Sequence, residues 1–233
     1  MTIAYFLHVD GSAEHGGELQ EWANSRFAPA LRDSGQVSRI EAYTPDTAED
    51  PYLASESGKL LMVQADFPTR TDLESTLSKF PVADALASIP ARDAVDITVE
   101  AFTVRHFSLL DGSTPPRRAP LSFVVRYYPP IDKPASFVDH YVDHHPPIMA
   151  RFPRIRNILC YFPVHWHDAN DLPPSNSFLG NEVVFDSVAH LNAALASEVR
   201  HELRADYRQF PPYQGKNTHH AMYRRVLYGG SEN

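Results

Sequence analysis

The order of predicted strands and helices occurs twice along this chain of 233 residues. Apolar runs of strand length alternate with amphipathic segments of helical period in the order β-α-β-β-α-β, and the same order returns in the second half. The first helices of the two halves correspond at one constant offset. The matched positions are Leu19, Ala23 and Phe27 in the first half and Phe137, Tyr141 and His145 in the second. The repeat therefore predicts two similarly folded halves, of which only the second has a histidine at this helical position.

Hydrophobic period and turn-forming residues set the bounds of these predicted elements. Strands are predicted at 3–9, 37–43, 60–67, 95–107, 121–128, 156–162, 182–185 and 221–227, and helices at 18–31, 71–86, 134–150 and 188–208. The acidic, polar segment 46–58 is predicted to be a surface loop. Turn formers and prolines without an apolar period fill DGSTPPRRAP. We therefore interpret 1–110 as a scaffold half, 111–120 as a linker and 121–233 as the half that carries the site.

The β-α-β-β-α-β order predicts an α+β fold. Two such units are typical of ferredoxin-like halves, each with an antiparallel sheet that two helices cover on one face. The other face of each sheet must be covered as well, either by the second half or by another chain.

The helix that contains the sequence FVDHYVDHHPP presents a histidine on its apolar stripe. At about 100° per residue, His145 falls near the middle of the arc that Phe137 and Tyr141 define, while His140 and His144 fall toward its edge. A titratable ring in a packed stripe is either a core histidine with both nitrogens satisfied by backbone groups or a functional residue.

The surroundings of this helix resemble those of a known family. The pattern Phe137-x3-Tyr141-x3-His145-x-Pro147, after the strand SFVVRYY and before RFPRIRNILCYF, is similar to the EthD family of the dimeric α/β-barrel superfamily. The similarity is good over 121–162 and looser beyond it, and Arg154-Ile155 replaces the usual Gly-Leu of the turn that follows. The resemblance implies two facing antiparallel sheets that form an α/β barrel. It also implies chemistry on ring-derived or polyketide-like molecules.

The predicted catalytic residues are His145, as the proton-transferring group, and Tyr141, which orients it or lines the pocket. The pocket is expected to be open around His145 and closed around Phe27. The predicted substrate-binding residues are Arg126, Tyr128, His144, His220 and Arg224. An arginine on a strand binds a carboxylate or faces solvent. Strand alternation puts His220 and Arg224 on one face of the last strand and His219, Tyr223 and Arg225 on the other, so only one set can line a given pocket.

Composition excludes several classes of function. With 21 Lys and Arg against 29 Asp and Glu, the net charge of −8 argues against nucleic-acid and anionic-membrane binding. Cys160 is the only cysteine, which excludes an internal disulfide, and we interpret it as a buried, inert thiol. His165 and His167 could chelate a metal, but no third ligand stands nearby at a recognisable spacing, so no metal is predicted. No phosphate-binding glycine loop, nucleophile elbow or membrane span is recognisable.

These observations predict a cytoplasmic, cofactor-independent enzyme of aromatic compound catabolism, an isomerase or lyase. It would use histidine general acid/base catalysis on an enolisable, carboxylated or ring-derived metabolite. Two alternatives remain open: a haem-dependent oxidase or peroxidase, and a non-catalytic auxiliary protein that binds a hydrophobic ligand. The expected partner is a small-molecule substrate. A homodimer is possible, since the barrel could close within one chain or between chains.

Overall fold

The computed structural model describes residues 2–53 and 58–229. Its eight strands are β1 Ile3–Gly11, β2 Arg39–Asp46, β3 Lys59–Phe67, β4 Val95–Phe107, β5 Leu121–Tyr127, β6 Asn157–Pro163, β7 Leu179–Phe185 and β8 Asn217–Tyr228. Its α-helices are α1 Gly16–Trp22, α2 Ala28–Ser34, α3 Arg70–Leu77, α4 Phe80–Ala87, α5 Pro134–Met149, α6 Val188–Leu195 and α7 Glu198–Tyr207. A π-helical stretch, Ala23–Phe27, joins α1 to α2. Part of the predicted loop at 46–58 lies outside the described residues.

Each predicted second helix is two shorter helices in the structure. Thr69 caps α3 by accepting a hydrogen bond from the backbone of Asp72, and Pro81 stands in the first turn of α4, where its missing N–H costs nothing. In the second half, Ser187 caps α6, and extended backbone at Ser197 separates α6 from α7. Local breaks of this kind leave the hydrophobic period intact, so the sequence pattern alone reads as one helix.

The eight strands form one closed barrel in the order β1-β3-β2-β8-β5-β7-β6-β4. All neighbouring strands are antiparallel, and each half supplies four of them in the same ferredoxin-like order. The two sheets join where β2 pairs with β8 and β4 pairs with β6. The predicted fold class, two facing antiparallel sheets with helices outside, is confirmed, and the barrel closes within this single chain.

The apolar side chains pack in three layers. One cluster fills the barrel, a second lies under α1 to α4, and a third lies between α5 to α7 and the sheet of the second half. Strand β5 is buried on both faces along its whole length because the barrel interior covers one face and the helices cover the other. The pocket described below lies in the third layer.

The predicted linker contributes a side chain to the barrel interior. Arg117 is only 7% exposed, and its guanidinium donates hydrogen bonds to Glu41, to Glu182 at 3.1 Å and to the Tyr161 hydroxyl at 3.2 Å. Burial opposes the ionised form of Glu182, but the charge of Arg117 keeps the pKa of that carboxyl below its usual value. The segment between β4 and β5 therefore ties the two sheets together at one end of the barrel. The bounds of the two halves as independent units stay a prediction.

No helix within the described ranges, 2–53 and 58–229, has the length and apolar character needed to cross a membrane.

Candidate active site

The central feature of the site is a buried histidine–carboxylate pair. His145 on α5 and Asp206 on α7 are each 7% exposed, and His145 Nδ1 lies 2.7 Å from Asp206 Oδ2. His140 Nε2 lies 3.5 Å from the other oxygen of Asp206. An imidazole that donates from Nδ1 to a carboxylate has its lone pair on Nε2, so this contact selects the tautomer in which Nε2 can accept a proton.

The protonation state of His145 follows from its surroundings. Burial lowers the pKa of His145, and the hydrogen bond and negative charge of Asp206 oppose this shift only in part. The positive charge of Arg200 lowers it further. His145 is therefore a neutral base near pH 7.

A pocket lies beside this pair, between α5, α6 and α7 and the outer face of the second sheet. The space between these elements is about 440 Å³ when the part open to solvent is included. Its apolar wall consists of Phe123, Val125, Tyr127, Met149, Phe152, Val183, Leu191, Leu195 and Leu203. Its polar wall consists of His145, Asn181, Arg200 and His219. A lining of this composition matches a largely apolar molecule that carries a few polar groups.

Tyr141 lies one helical turn before His145, and the two ring centroids are 4.8 Å apart. The side chain is completely buried, which raises the pKa of its hydroxyl well above the usual value, while the Asn181 side chain acts in the opposite direction. Tyr141 is therefore a neutral hydroxyl that can donate a proton or a hydrogen bond, and it is not a base.

Arg126 and Tyr128 share a face of the chain, as predicted, but that face points into the barrel and away from this pocket. Arg126 Nε donates to Glu100 at 2.6 Å, and its guanidinium lies over the rings of Phe6 at 4.7 Å and Tyr161 at 5.0 Å. Arg126 thus pairs with a carboxylate of the protein itself. Tyr128 lines a small space inside the same end of the barrel.

On β8 the predicted residues also face the barrel interior. Arg224 is 4% exposed and bonds Glu41, and His220 lines the interior space next to Arg126. The alternate residue His219 faces the helices and lines the pocket beside His145. Strand alternation separated the two sets correctly, but it could not show which set faces the pocket.

His144 is exposed, as its helical phase indicates, and it does not line the pocket. Its ring stacks on that of His140 at 4.2 Å, and its Nδ1 donates to the His140 carbonyl oxygen at 2.8 Å. The structure therefore separates His144 from the predicted substrate-binding position.

The sequence analysis did not suggest Asp206, nor the pocket residues Asn181 and Arg200. Asp206 is the one of these that contacts His145. Its helix, α7, is mostly charged, and only Leu203 and Asp206 are buried on it, three residues apart. The signal that could have found it is an aspartate in register with the apolar positions of a helix, which calls for a buried partner.

His165 and His167 flank a tryptophan that packs on the first half of the chain, and Cys160 is buried. Trp166, between His165 and His167, packs edge-on against Tyr5 at 5.6 Å. Within the described part of the chain, no group of three or more His, Cys, Asp or Glu side chains could hold a metal ion. Cys160 is buried in the third layer, and burial raises the pKa of its thiol, so it remains protonated.

The position that matches His145 in the first half is filled by packed rings. Phe27 is fully buried and stacks on Trp22 with centroids 5.0 Å apart.

A larger polar cavity, of about 1020 Å³ and partly open to solvent, lies at the end of the barrel. Side chains of both halves and of the linker line it, among them Gln64, His106 and Arg117. The sequence did not predict this cavity.

Buried neutral histidines near the pocket predict loss of stability in acid. Burial lowers the pKa of His219 to about 3, so the unfolded state, with a histidine pKa of about 6.5, binds more protons between these values. The free energy of unfolding therefore falls as the pH drops through this window. The slope of the free energy of unfolding against pH measures this effect. We expect His219→Gln to reduce the slope by about 1.4 kcal/mol per pH unit, the value for one proton. Urea unfolding at pH 6.0, 5.25 and 4.5 gives the free energy of unfolding of both proteins. Equal slopes against pH for the wild type and the variant would contradict the prediction.

Comparison with known proteins supports the fold. No family model matches the sequence, and no curated protein matches it. An anthrone oxidase-like protein of solved structure has a TM-score of 0.67 to this chain, with 14% identity over 97% of this chain and 93% of its own. A variant of chlorite dismutase from Candidatus Nitrospira defluvii has a TM-score of 0.53, with 10% identity over 95% and 90%. At these identities the similarity establishes the shared dimeric α/β-barrel fold alone.

A protein of the EthD family from Bacillus halodurans C-125 has 21% identity over 43% of this chain and 95% of its own, with a TM-score of 0.35. A similarity at that level carries no argument, so membership of the EthD family stays a prediction.

Proposed function

We propose that this protein is an enzyme that removes a proton from an enolisable carbon of a small, largely apolar molecule. The observation that supports it best is the buried pair of His145 and Asp206, whose histidine lies in the wall of a largely apolar pocket. A base of this kind needs a neutral imidazole with a fixed tautomer, and the surroundings of His145 provide both.

The proposed step uses four side chains. The substrate packs its apolar body against the aliphatic and aromatic wall, with the acidic carbon toward His145 Nε2. That nitrogen takes the proton while Asp206 stabilises the imidazolium that forms. The oxygen of the substrate then carries enolate charge, which the amide of Asn181 in the pocket wall stabilises by donating a hydrogen bond. Tyr141 is fully buried and does not line the pocket, so its role is to position Asn181 and the ring of His145.

The fate of the enolate decides the reaction class. Return of the proton to another atom is isomerisation, and loss of a leaving group is a lyase reaction, which we propose on a ring-derived metabolite. Reaction with dioxygen would be an oxidase reaction, as the name of the anthrone oxidase-like structure suggests for that protein. In that case anthrone and O₂ give anthraquinone and water. The methylene carbon loses both hydrogens and is oxidised by four electrons, one oxygen atom becomes the new carbonyl oxygen, and the other is released as water with the two hydrogens. All three reactions share the first proton transfer.

An experiment with anthrone as the probe separates these cases. Wild-type protein is incubated with anthrone in D₂O without oxygen, and deuterium uptake at the methylene carbon is followed by mass spectrometry. Oxygen consumption is then measured in air. Exchange above the protein-free rate supports the proposed base, and enzyme-dependent oxygen uptake would assign an oxidase. If a panel of enolisable aryl ketones and carboxylated ketones shows no exchange either, the proposal fails.

A haem-dependent oxidase is the second candidate, because a histidine with a carboxylate on Nδ1 is the donor set of an axial haem ligand. The donor chemistry fits, but the space does not. The rings of Tyr141 and Phe210 have centroids 4.8 and 5.3 Å from that of His145, which leaves little room for a rigid planar macrocycle. Titration of the purified protein with haem decides it, since a saturable Soret band that His145→Ala removes would favour this candidate.

A further inference from the structure

Among the residues that the structure describes, the wall of the pocket beside His145 contains one charged side chain, that of Arg200 on α7. Its side chain is 12% exposed, and its charge lowers the pKa of both His145 and His219, so it acts on the polar end of the pocket. Apart from His145, Asn181 and His219, the other lining residues are apolar. An arginine at the polar end of an apolar pocket matches a ligand with one anionic group on a hydrophobic body.

Arg200 is held by a residue of the other half of the chain. Its Nε lies 2.9 Å from one oxygen of Asp50 and its Nη2 lies 3.1 Å from the other, a bidentate pair in which Asp50 is 5% exposed. The ring of Tyr52 lies 5.1 Å from the guanidinium carbon. These contacts fix the plane of the guanidinium through its Nε and Nη2 edge, and neither Asp50 contact uses Nη1.

The segment that carries Asp50 packs on the helices that cover the pocket. The backbone N–H of Glu49 donates to the Asn192 side chain on α6 at 3.0 Å, and the Tyr52 hydroxyl bonds the ring of His201 on α7. Residues of this segment also line the neighbouring cavity at His219. The first half thus reaches the site of the second, beyond the scaffold role predicted for it.

We propose that Arg200, positioned by Asp50, selects substrates that carry an anionic group, a carboxylate or phenolate on an aromatic or other apolar body. This inference rests on the proposed function for the site that it describes. If the ion pair of Arg200 and Asp50 only joined the two halves, its arginine would not need to lie in the pocket wall. A buried ion pair adds little net stability after desolvation, so a fastening role alone explains it poorly.

The test uses binding and requires no turnover. Dissociation constants of 2-naphthoate and 2-naphthamide, which differ mainly in charge, are measured by calorimetry at pH 7 on the full chain. We expect the wild type to bind the carboxylate at least 10-fold more tightly, and Arg200→Gln to reduce that ratio to about one. Arg204→Gln is the matched control, since Arg204 is one turn along the same helix, contacts Tyr52 at 5.6 Å and does not line the pocket. It should keep the wild-type ratio.

A second variant keeps the inference testable if Arg200→Gln does not fold. Asp50→Asn removes the competing carboxylate and leaves the guanidinium, so we expect it to bind 2-naphthoate more tightly and 2-naphthamide unchanged. Equal binding of both probes by the wild type, binding of neither, or a preference that survives Arg200→Gln would overturn the inference. If the wild type prefers the carboxylate but exchanges no proton in any assay, only the proposed function fails. If it exchanges protons but does not prefer the carboxylate, only this inference fails.

Discussion

Replacement of His145 by alanine is expected to lower the rate of proton transfer by a factor of about 10² to 10⁴, the usual loss when a general base is removed. The fold should survive, because the imidazole lies at the wall of a pocket and its loss mainly enlarges that pocket. Deuterium exchange of the probe without oxygen gives the rate, and thermal unfolding checks that the variant is folded.

His144→Ala is the matched control for this variant. The two histidines are neighbours on α5, but His144 is exposed and points about 100° away from His145 around the helix. We expect its exchange rate to equal that of the wild type. An inactive His144→Ala protein together with a nearly normal His145→Ala protein would show that the proton is transferred elsewhere.

Asp206→Asn separates a positioning role from a structural one. The amide keeps a hydrogen bond to His145 Nδ1 but no longer stabilises the imidazolium, so we expect a lower exchange rate at pH 7 with the fold retained. The pKa of the acid limb of the rate profile should also fall, because Asp206 raises the pKa of His145. An unchanged profile would exclude Asp206 as a partner in the chemistry.

The largest expected loss of stability is that of Arg117→Met. Methionine is of similar length but removes the cation that bonds Glu182, which leaves the hydrogen bonds from Tyr161 and Ser122 and the more distant charge of Arg224. Breaking a buried ion pair by removing one partner costs about 3–5 kcal/mol, because the other charge remains buried without compensation. Urea unfolding at pH 7 measures the change in the free energy of unfolding.

Arg118→Met is the control, since Arg118 follows directly in the chain and is exposed. Surface substitutions usually change stability by no more than about 0.5 kcal/mol. Similar losses for both variants would mean that the segment acts through its backbone and that the buried network contributes little. A second substitution, Glu182→Gln in the Arg117→Met background, should recover part of the lost stability by removing the uncompensated charge.

The repeat and the helical phase were readable from the sequence because both depend on local periodicity. Apolar alternation and turn residues located the strands of both halves, and the arc through Phe137 and Tyr141 predicted that His145 is buried. Three strand ends differ from the prediction by three or more residues, namely the end of β2 at Asp46 and the starts of β7 at Leu179 and β8 at Asn217. Gly180 and the polar start of β8 at Asn217 interrupt the apolar pattern, although strand pairing continues through them.

Other features depended on which parts of the chain meet in three dimensions. Asp206 lies 61 positions from His145, and no local pattern relates them. A period of two assigns β8 residues to two faces, but only the closed barrel decides that His219 faces the helices while His220 and Arg224 face inward. Arg117 lies in a segment with every local sign of a solvent-exposed linker, yet two sheets meeting around it bury its charge against Glu41 and Glu182.

The sequence alone determined the elements and their apolar faces, since these follow from short-range sterics and hydrophobic burial. The tertiary structure decided the partners of the charged groups, because their pairing depends on contacts between residues distant in the chain.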